Sequence, residues 1–397
     1  MLFNSWIYGA FLALTCVVYW ILPSQRARQW LLLLAGVTFY TYYYPPHAIV
    51  IGALTVAVFA TTLWTERASP GARRRGLAGA AAACIAVLAF YKYQGFFRDS
   101  LVAVGVSPAS GWNTDIRAPL AVSFFTFEYV HYLIELRRGT IRRAGFLDFF
   151  VFIMFFPTLI CGPIKRFNTF EPQIDRVRFD PEEVNQGLGR IVVGLAKKIV
   201  VADTVARWIA PIWADPGASG VGALWLGTYG YALQIYFDFA GYSDIAIGSA
   251  QLLGYHVPEN FNAPYLKSNI AAFWRSWHMS LTSWITDYVY IPLGGSRRGA
   301  WRGHVNRLTA MTLCGLWHGA AWHFAAWGLY HGAGLCVYRG YQDLRERLQP
   351  DWTPSRNVLL RGVAALATFH FVCIGWVLFI KDFATARTVI ARLLLLR

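Results

Sequence analysis

Two histidines lie in apolar stretches of the sequence, and their chemistry is the most suggestive feature of the chain. His318 falls in the stretch LCGLWHGAAWHF at 313–324, and His278 falls in FWRSWHMSL at 273–281. An imidazole has an unperturbed pKa of about 6.5, so its uncharged form can accept a proton from an alcohol at neutral pH. The residues alone leave a second interpretation open, in which each ring is buried and hydrogen-bonded to a neighbouring helix.

A metal site is a third interpretation, because His318, His323 and His331 are close in sequence. Their spacings of five and eight put them on different faces of a helix, and no glutamate accompanies them as in the HExxH pattern. The sequence therefore predicts no metal. Six cysteines are scattered through apolar segments without a CxxC pair, which is typical of small side chains in helix packing.

Charged side chains also occur where apolar ones are expected. Asp238 and Asp244 interrupt the apolar run at 231–255, where a carboxylate indicates either a functional site or an ion pair. Lys165 and Arg166 follow the stretch FFPTLICGPI, whose prolines and glycine break helix geometry. They could hold the phosphate of an anionic donor, or they could belong to a basic loop on the cytoplasmic side.

The composition indicates that these residues lie in a polytopic membrane protein. Of the 397 residues, 56% are hydrophobic and only 14% are charged, against roughly 25% charged in an average soluble protein. The net charge of +15 could suggest nucleic acid. Because Lys and Arg accumulate in cytoplasmic loops of membrane proteins, loop asymmetry explains the charge, and we expect no nucleic-acid partner.

The positions of the first arginines predict an orientation. Arg26 and Arg28 follow the first apolar segment and Arg73 to Arg75 follow the third, whereas the link YYYPPHA after the second carries no Lys or Arg. The first segment lacks the basic start and cleavage site of a signal peptide, so we interpret it as a retained span. These features predict an N-terminus outside the cell and the arginine loops inside.

Hydropathy predicts an all-α architecture of roughly ten or eleven spans, with some re-entrant pieces. The predicted apolar segments are 5–22, 30–44, 47–64, 77–93, 119–136, 147–164, 187–213, 221–253, 305–325, 324–340 and 357–380. Asp180 before Pro181 predicts a helix start, and Ser268 or Asn269 predicts another.

The two histidine segments are each predicted to be one helix. Residues 269–293 would place Arg275, His278 and Thr282 on one face. A second face would carry Phe273, Trp277, Leu281 and Trp284. In 305–325, His318 would lie well inside the span with Trp322 on the same face, and Gly315 and Gly319 would allow a neighbouring backbone to approach closely.

Four blocks of the sequence resemble the membrane-bound O-acyltransferase (MBOAT) family, in its bacterial cell-surface branch. They are PLAVSFFTFEYVHYLIELRRG at 119–139, FFPTLICGPIKRF at 155–167, the run from FDFAGYSDIAIG to YIPLGG at 237–295, and GLWHGAAWHFAAWGLYHG at 315–332. The resemblance implies one transmembrane domain, 1–397, built as a ring of helices around a central funnel. Within it, 1–118 would be N-terminal spans of weak resemblance, 119–340 the catalytic core and 341–397 a C-terminal span.

The resemblance also implies roles for individual residues. His318 would be the catalytic base and His278 the second functional histidine, whereas His323 and His331 would be structural. The candidates for lining the substrate tunnel are Trp274, Arg275, Trp277, Asn260, Asn262, Trp317, Asp238 and Asp244. Lys165 and Arg166 stay the candidates for the donor phosphate.

The implied function is transfer of an acyl group, most simply acetyl, from a cytoplasmic thioester across the bacterial inner membrane for O-acetylation of a cell-surface polysaccharide such as alginate. The donor would be acetyl-CoA or an acyl carrier protein, and no cofactor would be tightly bound. Expected partners are membrane lipid, a periplasmic SGNH-type acetyltransferase and the polysaccharide synthesis machinery. The alternatives are D-alanyl transfer to teichoic acid and, in another class, a transporter without acyl chemistry.

Overall fold

The computed structural model describes residues 3–42, 45–107, 116–349 and 357–395. Within these ranges the regular structure is helical and contains no strand. The helices are α1 (Trp6–Ile21), α2 (Gln25–Thr41), α3 (Pro45–Arg67), α4 (Pro70–Ala103), α5 (Val122–Arg138), α6 (Phe146–Ile153), α7 (Phe167–Ile174), α8 (Pro181–Leu195), α9 (Asp203–Ala214), α10 (Val221–Leu252), α11 (Ile270–Trp274), α12 (Met279–Ile285), α13 (Ala300–His318), α14 (Trp322–Leu348), α15 (Val358–Ile380) and α16 (Phe383–Leu393). The all-α prediction is confirmed.

Three helices of the described part, α3, α4 and α15, are long and apolar enough to cross a membrane. Two shorter apolar stretches, Trp6–Ile21 and Phe146–Thr158, accompany them. Large apolar side chains point outward along these helices, for example Ile49 at 74% exposure and Leu359 at 74%. Such faces suit lipid rather than water, whereas the number of spans predicted from hydropathy stays a prediction.

The helix starts follow local capping chemistry. The side chain of Asp180 accepts the backbone N–H of Glu182 at 2.9 Å, and α8 begins at Pro181 as predicted. Asn269 caps α11 by accepting the N–H of Ala272 at 2.8 Å. Each cap satisfies a backbone donor that a helix leaves unpaired in its first turn.

Internal contacts divide the chain into two compact units. The first comprises 1–195 and 242–258, and the second comprises 196–241 and 259–397. The prediction of one domain with subdivisions near 118 and 340 stays a prediction. Helix α10 contributes residues to both units.

The first unit buries a cluster of aromatic rings and an ion pair. Phe155, Phe170 and Tyr255 pack with ring centroids 5.0–5.1 Å apart. The Lys165 ammonium lies against the Glu128 carboxylate, and both side chains are almost fully buried. A buried charge of either sign is costly alone, so each of the two holds the other in place.

In the second unit, α13 and α14 form a tight antiparallel pair. A Cβ on Gly315 would lie 2.1 Å from the backbone oxygen of Phe324, and one on Gly328 would lie 2.2 Å from that of Met311. The predicted close approach at Gly315 is therefore confirmed, because only a residue without a side chain fits there. At Gly319 the neighbour is the ring of Phe324, at 1.9 Å from a Cβ.

Two predictions about the histidine segments are wrong. The segment 269–293 is not one helix, since α11 ends at Trp274 and α12 begins only at Met279. Helix α13 ends at His318 instead of continuing to 325, because Gly319 adopts an extended conformation (φ −160°, ψ 145°) and reverses the chain. Trp322 consequently belongs to α14, where it is 64% exposed and does not share a face with His318.

Candidate active site

His318 occupies the last position of α13, at the turn into α14. Its ring is half-buried and lies 5.3 Å from that of Trp327 and 5.1 Å from that of Phe379, measured between centroids. The ring of Trp317 is 4.8 Å away on a third side. Because His318 ends α13, the turn into α14 and the neighbouring aromatic rings hold the imidazole in place, while part of it stays accessible.

His278 lies in the break between α11 and α12, and its backbone is left-handed (φ 42°, ψ 55°). This conformation is uncommon for a residue with a Cβ, although histidine adopts it more readily than most. The side chain is 2% exposed, and its ring stacks edge-on against Phe239 at 4.6 Å. The break therefore turns the imidazole inward, where a continuous helix would not have aimed it.

Asn260 holds this break together through both its backbone and its side chain. Its backbone oxygen accepts the N–H of Met279 at 2.9 Å, and its Oδ1 accepts the hydroxyl of Ser280 at 2.6 Å. The same Oδ1 lies 3.3 Å from Nδ1 of His278. Because an amide oxygen only accepts, Nδ1 carries the proton in this bond and Nε2 is left as an acceptor.

Trp317 connects the two histidines. Its ring is 4.8 Å from the His318 ring and 6.1 Å from the His278 ring, centroid to centroid. Around them the second unit packs an aromatic shell in which Trp277 contacts Trp376 at 5.0 Å. Both imidazoles thus lie close to the same indole, within a largely apolar surrounding.

The other predicted tunnel residues divide into buried and exposed ones. Trp274 and Trp277 are buried, at 6% and 3% exposure, and Asn260 is fully buried. Arg275 and Asn262 are exposed. The break between α11 and α12 explains the position of Arg275, which a continuous helix would have put on the face of His278.

The charged candidates are engaged in ion pairs. Asp238 lies 2.6 Å from Nζ of Lys198, and Asp244, which belongs to the first unit, lies 3.0 Å from the guanidinium of Arg190. Because each carboxylate has a cationic partner within the protein, the ion pairs explain both aspartates and no transport role is needed. The ammonium of Lys165 is buried against Glu128, so the geometry gives it a partner inside the protein and does not support its assignment to a donor phosphate.

Two further histidines, His323 and His331, make structural contacts with neighbouring helices. Nδ1 of His323 lies 2.9 Å from the backbone oxygen of Leu378. His331 is fully buried among aromatic rings, including Trp274 at 5.1 Å and Trp327 at 5.0 Å. Among the described residues, no group of three side chains could hold a metal ion.

Trp327, Phe239 and Phe379 contact the two histidines directly, although no pattern in the sequence singles them out. Trp327 and Phe379 both flank His318, and Phe239 covers His278. Apolar aromatic residues carry no chemical signal of their own in a sequence as rich in them as this one. Their positions on α14, α15 and α10 become meaningful only once these helices are packed.

The helical fold and its lipid-facing helices define a multi-pass membrane protein, and its second unit holds two imidazoles close to one indole. A model of the membrane-bound O-acyltransferase family matches residues 83–380. The chain belongs to this family and is an acyltransferase.

Similar proteins come from several bacteria. The chain is 36% identical to "Probable alginate O-acetylase AlgI" of Azotobacter vinelandii over 96% of its own length and 75% of the relative's. It is 31% identical to "Peptidoglycan O-acetyltransferase" of Helicobacter pylori, over 96% and 77%. It is 32% identical to "Teichoic acid D-alanyltransferase" of Bacillus subtilis, over 66% and 68%.

Proposed function

We propose that this protein moves an acetyl group from a cytoplasmic thioester donor across the membrane for O-acetylation of a cell-surface polysaccharide. The observation that carries the proposal is the pair of imidazoles that lie close to the ring of Trp317, in a chain 36% identical to a relative named for alginate O-acetylation. The relatives named for O-acetylation align with 96% of the chain, whereas the D-alanyltransferase of Bacillus subtilis aligns with 66%. Acetyl is therefore the favoured group.

His318 acts as the general base in this proposal. The acceptor hydroxyl gives its proton to the neutral imidazole while its oxygen attacks the thioester carbonyl. The carbon–sulfur bond then breaks, and the imidazolium returns the proton to the departing thiolate. The products are an ester and a free thiol, and no further reactant is needed.

His278 orients the reacting groups. Its bond to Asn260 leaves Nε2 as an acceptor, and its ring is fixed by Phe239 and by its own backbone conformation. A rigid acceptor can hold the acceptor hydroxyl or a water in line with the thioester, and such positioning contributes strongly to rate.

The same proposal includes the cellular setting. The protein lies in the bacterial inner membrane with its N-terminus outside, and acetyl passes outward to a periplasmic SGNH-type acetyltransferase or directly to the polysaccharide. Transfer of a small acyl group is compatible with a site packed this closely with aromatic side chains. Because the proposed acceptor is a polysaccharide, the proposed partners include the machinery that synthesises it.

A second candidate is D-alanyl transfer, which the Bacillus subtilis relative supports. The two candidates differ in the group delivered and in the activating enzyme required. Supplying the purified protein with acetyl and D-alanyl thioesters separates them, because the proposed function requires faster transfer from the acetyl donor.

Replacing His318 tests the proposed chemistry. His318→Gln retains side-chain volume and polarity but removes the base, so we expect polysaccharide acetylation in cells to fall at least about a hundredfold. The matched control is His256→Gln, which changes an exposed histidine of the first unit and should leave acetylation unchanged. Normal acetylation by a well-expressed His318→Gln protein would refute the proposal.

A further inference from the structure

A cavity of about 420 Å³ lies entirely within the first unit, at the start of α8. We call it the mixed-charge cavity. It is lined by Trp20 near the end of α1, by residues of the segment 172–184 and by residues of the segment 251–256. The indole N–H of Trp20 donates to the backbone oxygen of Leu252 at 2.9 Å, so this aromatic wall is held in a fixed orientation.

The two segments that line the cavity are tied together by one side chain. Oε1 of Gln173 accepts the backbone N–H of His256 at 2.8 Å, and Nε2 of Gln173 donates to the backbone oxygen of His256 at 3.1 Å. Gly254 adopts a positive φ of 77°, and a Cβ there would lie 2.5 Å from Cγ1 of Val177. The shape of the cavity is therefore set by backbone contacts and not only by flexible side chains.

Two acceptor atoms in the cavity lack a donor. Oε2 of Glu183 and Oε1 of Gln251 are both buried, and neither has a hydrogen-bond partner among the described residues. The nearest cation to Oε1 of Glu183 is Nε2 of His256 at 4.0 Å, which is beyond hydrogen-bond distance. Because a buried acceptor without a donor is unfavourable, the two atoms favour a ligand that supplies N–H donors and, next to a carboxylate, positive charge.

The same cavity also offers positive charge. Arg176 and Arg178 line it with exposed side chains, and neither forms an ion pair within the part of the chain that the structure describes. Asp180 lines it as well, but one of its oxygens already accepts the N–H of Glu182 at 2.9 Å. Guanidinium groups bind phosphate oxygens through paired, charge-assisted hydrogen bonds. The cavity thus suits a zwitterion that carries a phosphate and an ammonium group.

An apolar stripe on α8 continues from this cavity. Val184 lines the cavity, and Leu188 and Val192 follow it at spacings of four, which keeps the three side chains on one helix face. Leu188 is 51% exposed and Val192 is 65% exposed. At the cavity itself, the guanidinium of Arg28 lies 5.1 Å from the ring of Trp20, and such aromatic and basic groups favour the headgroup level of a membrane. The stripe therefore offers a surface for acyl chains next to a polar headgroup site.

We propose that the mixed-charge cavity binds the headgroup of phosphatidylethanolamine. The lipid phosphate contacts Arg176 and Arg178, the ammonium donates to Glu183 and Gln251, and an acyl chain lies along the apolar stripe of α8. Phosphatidylglycerol lacks the ammonium, and the quaternary ammonium of phosphatidylcholine has no N–H to donate. The imidazole of His256 takes no part. This lipid site is separate from the proposed acyl transfer, whose histidines belong to the second unit.

Native mass spectrometry of the delipidated full-length protein tests the headgroup preference. Phosphatidylethanolamine, phosphatidylcholine and phosphatidylglycerol with identical acyl chains are added in turn. We expect phosphatidylethanolamine to bind about tenfold more tightly than either of the others, the effect of one charge-assisted contact. Monomethylated and dimethylated phosphatidylethanolamine, which retain two N–H groups and one, should bind with intermediate affinity.

Glu183→Gln removes the carboxylate and should abolish most of the preference for phosphatidylethanolamine over phosphatidylcholine. The matched control is Glu182→Gln, because Glu182 is the exposed neighbour on α8 and does not line the cavity. Arg178→Ala should weaken the binding of phosphatidylethanolamine and phosphatidylglycerol alike, and Arg178→Lys should recover part of the loss.

Thermal unfolding in detergent separates loss of the site from loss of the fold. Without lipid, Glu183→Gln should unfold no lower than the wild type, since it removes a buried charge that lacks a partner. Added phosphatidylethanolamine should raise the unfolding temperature of the wild type and of Glu182→Gln, but much less that of Glu183→Gln.

Two results would overturn the proposal. The first is equal binding of phosphatidylethanolamine and phosphatidylcholine to the wild type, because an ammonium donor would then be irrelevant. The second is equally tight binding of the soluble headgroup glycerophosphoethanolamine, which would assign the cavity to a free zwitterion and not to a membrane lipid. Neither result bears on His318, whose role is tested by acetylation alone.

Discussion

Asn260 concentrates the interactions that orient His278. One fully buried amide oxygen accepts from Ser280 and pairs with Nδ1 of the histidine, so it fixes both the tautomer and the ring plane. The hydroxyl of Ser280 and the imidazole would lose the same acceptor if the amide were removed. The contribution of His278 to the reaction therefore depends on a residue eighteen positions earlier in the chain.

At this scale we expect Asn260→Ala to lower acyl transfer about tenfold, equivalent to about 1.4 kcal/mol in the activation barrier. Without its acceptor, Nδ1 of His278 no longer has to carry the proton, and the ring loses its fixed orientation. Ser280→Ala is the control, since it removes the other hydrogen bond to the same oxygen but leaves the histidine bond intact. Initial rates of acyl transfer in membranes, normalised to protein content, are compared between the two variants. Equal losses of rate in both would contradict the role of Asn260 in orienting His278.

At the scale of elements, local patterns were predictable and long-range interruptions were not. The cap of α8 at Asp180 and Pro181 depends on adjacent residues and is therefore visible in the sequence. The break at His278 depends on the backbone bond from Met279 to Asn260, and the partner of Asp238 is a lysine forty residues away. Helical periodicity cannot reveal either contact. Asn260 lies outside the segment 269–293 that it interrupts, and Lys198 lies outside the apolar run that contains Asp238.

The pairing of α13 with α14 carries the next prediction. Gly328→Ala places a Cβ within 2.2 Å of the Met311 carbonyl oxygen, so the helices must separate and carry His318 and Trp327 with them. We expect a lower unfolding temperature, from a penalty of about 1–3 kcal/mol or more, together with reduced transfer. Gly340→Ala lies on the same helix, where an added Cβ meets nothing within 4 Å, and it should retain both properties. A Gly328→Ala protein as stable and active as Gly340→Ala would show that the close approach is dispensable.

For the whole molecule, the charge pattern predicts which segments of the chain face the cytoplasm. Arg67 ends α3, and Arg73 to Arg75 lie in the first turns of α4, so the basic link between these two apolar helices is expected inside. The segment 296–303 carries three more arginines and no acidic residue, so it is expected on the same side of the membrane. The predicted orientation requires that both basic regions face the cytoplasm.

Single cysteines at the two ends of α4 test this orientation. In a variant without its native cysteines, Ser107→Cys should react with a membrane-impermeant maleimide in intact spheroplasts, whereas Ser69→Cys should react only after permeabilisation. Both positions are exposed, so a difference in labelling reports the side of the membrane and not burial. A third cysteine at the exposed Arg302, in the basic segment 296–303, should label like Ser69→Cys. If it labels like Ser107→Cys instead, the basic segment 296–303 lies outside, and the orientation predicted from the arginines is wrong.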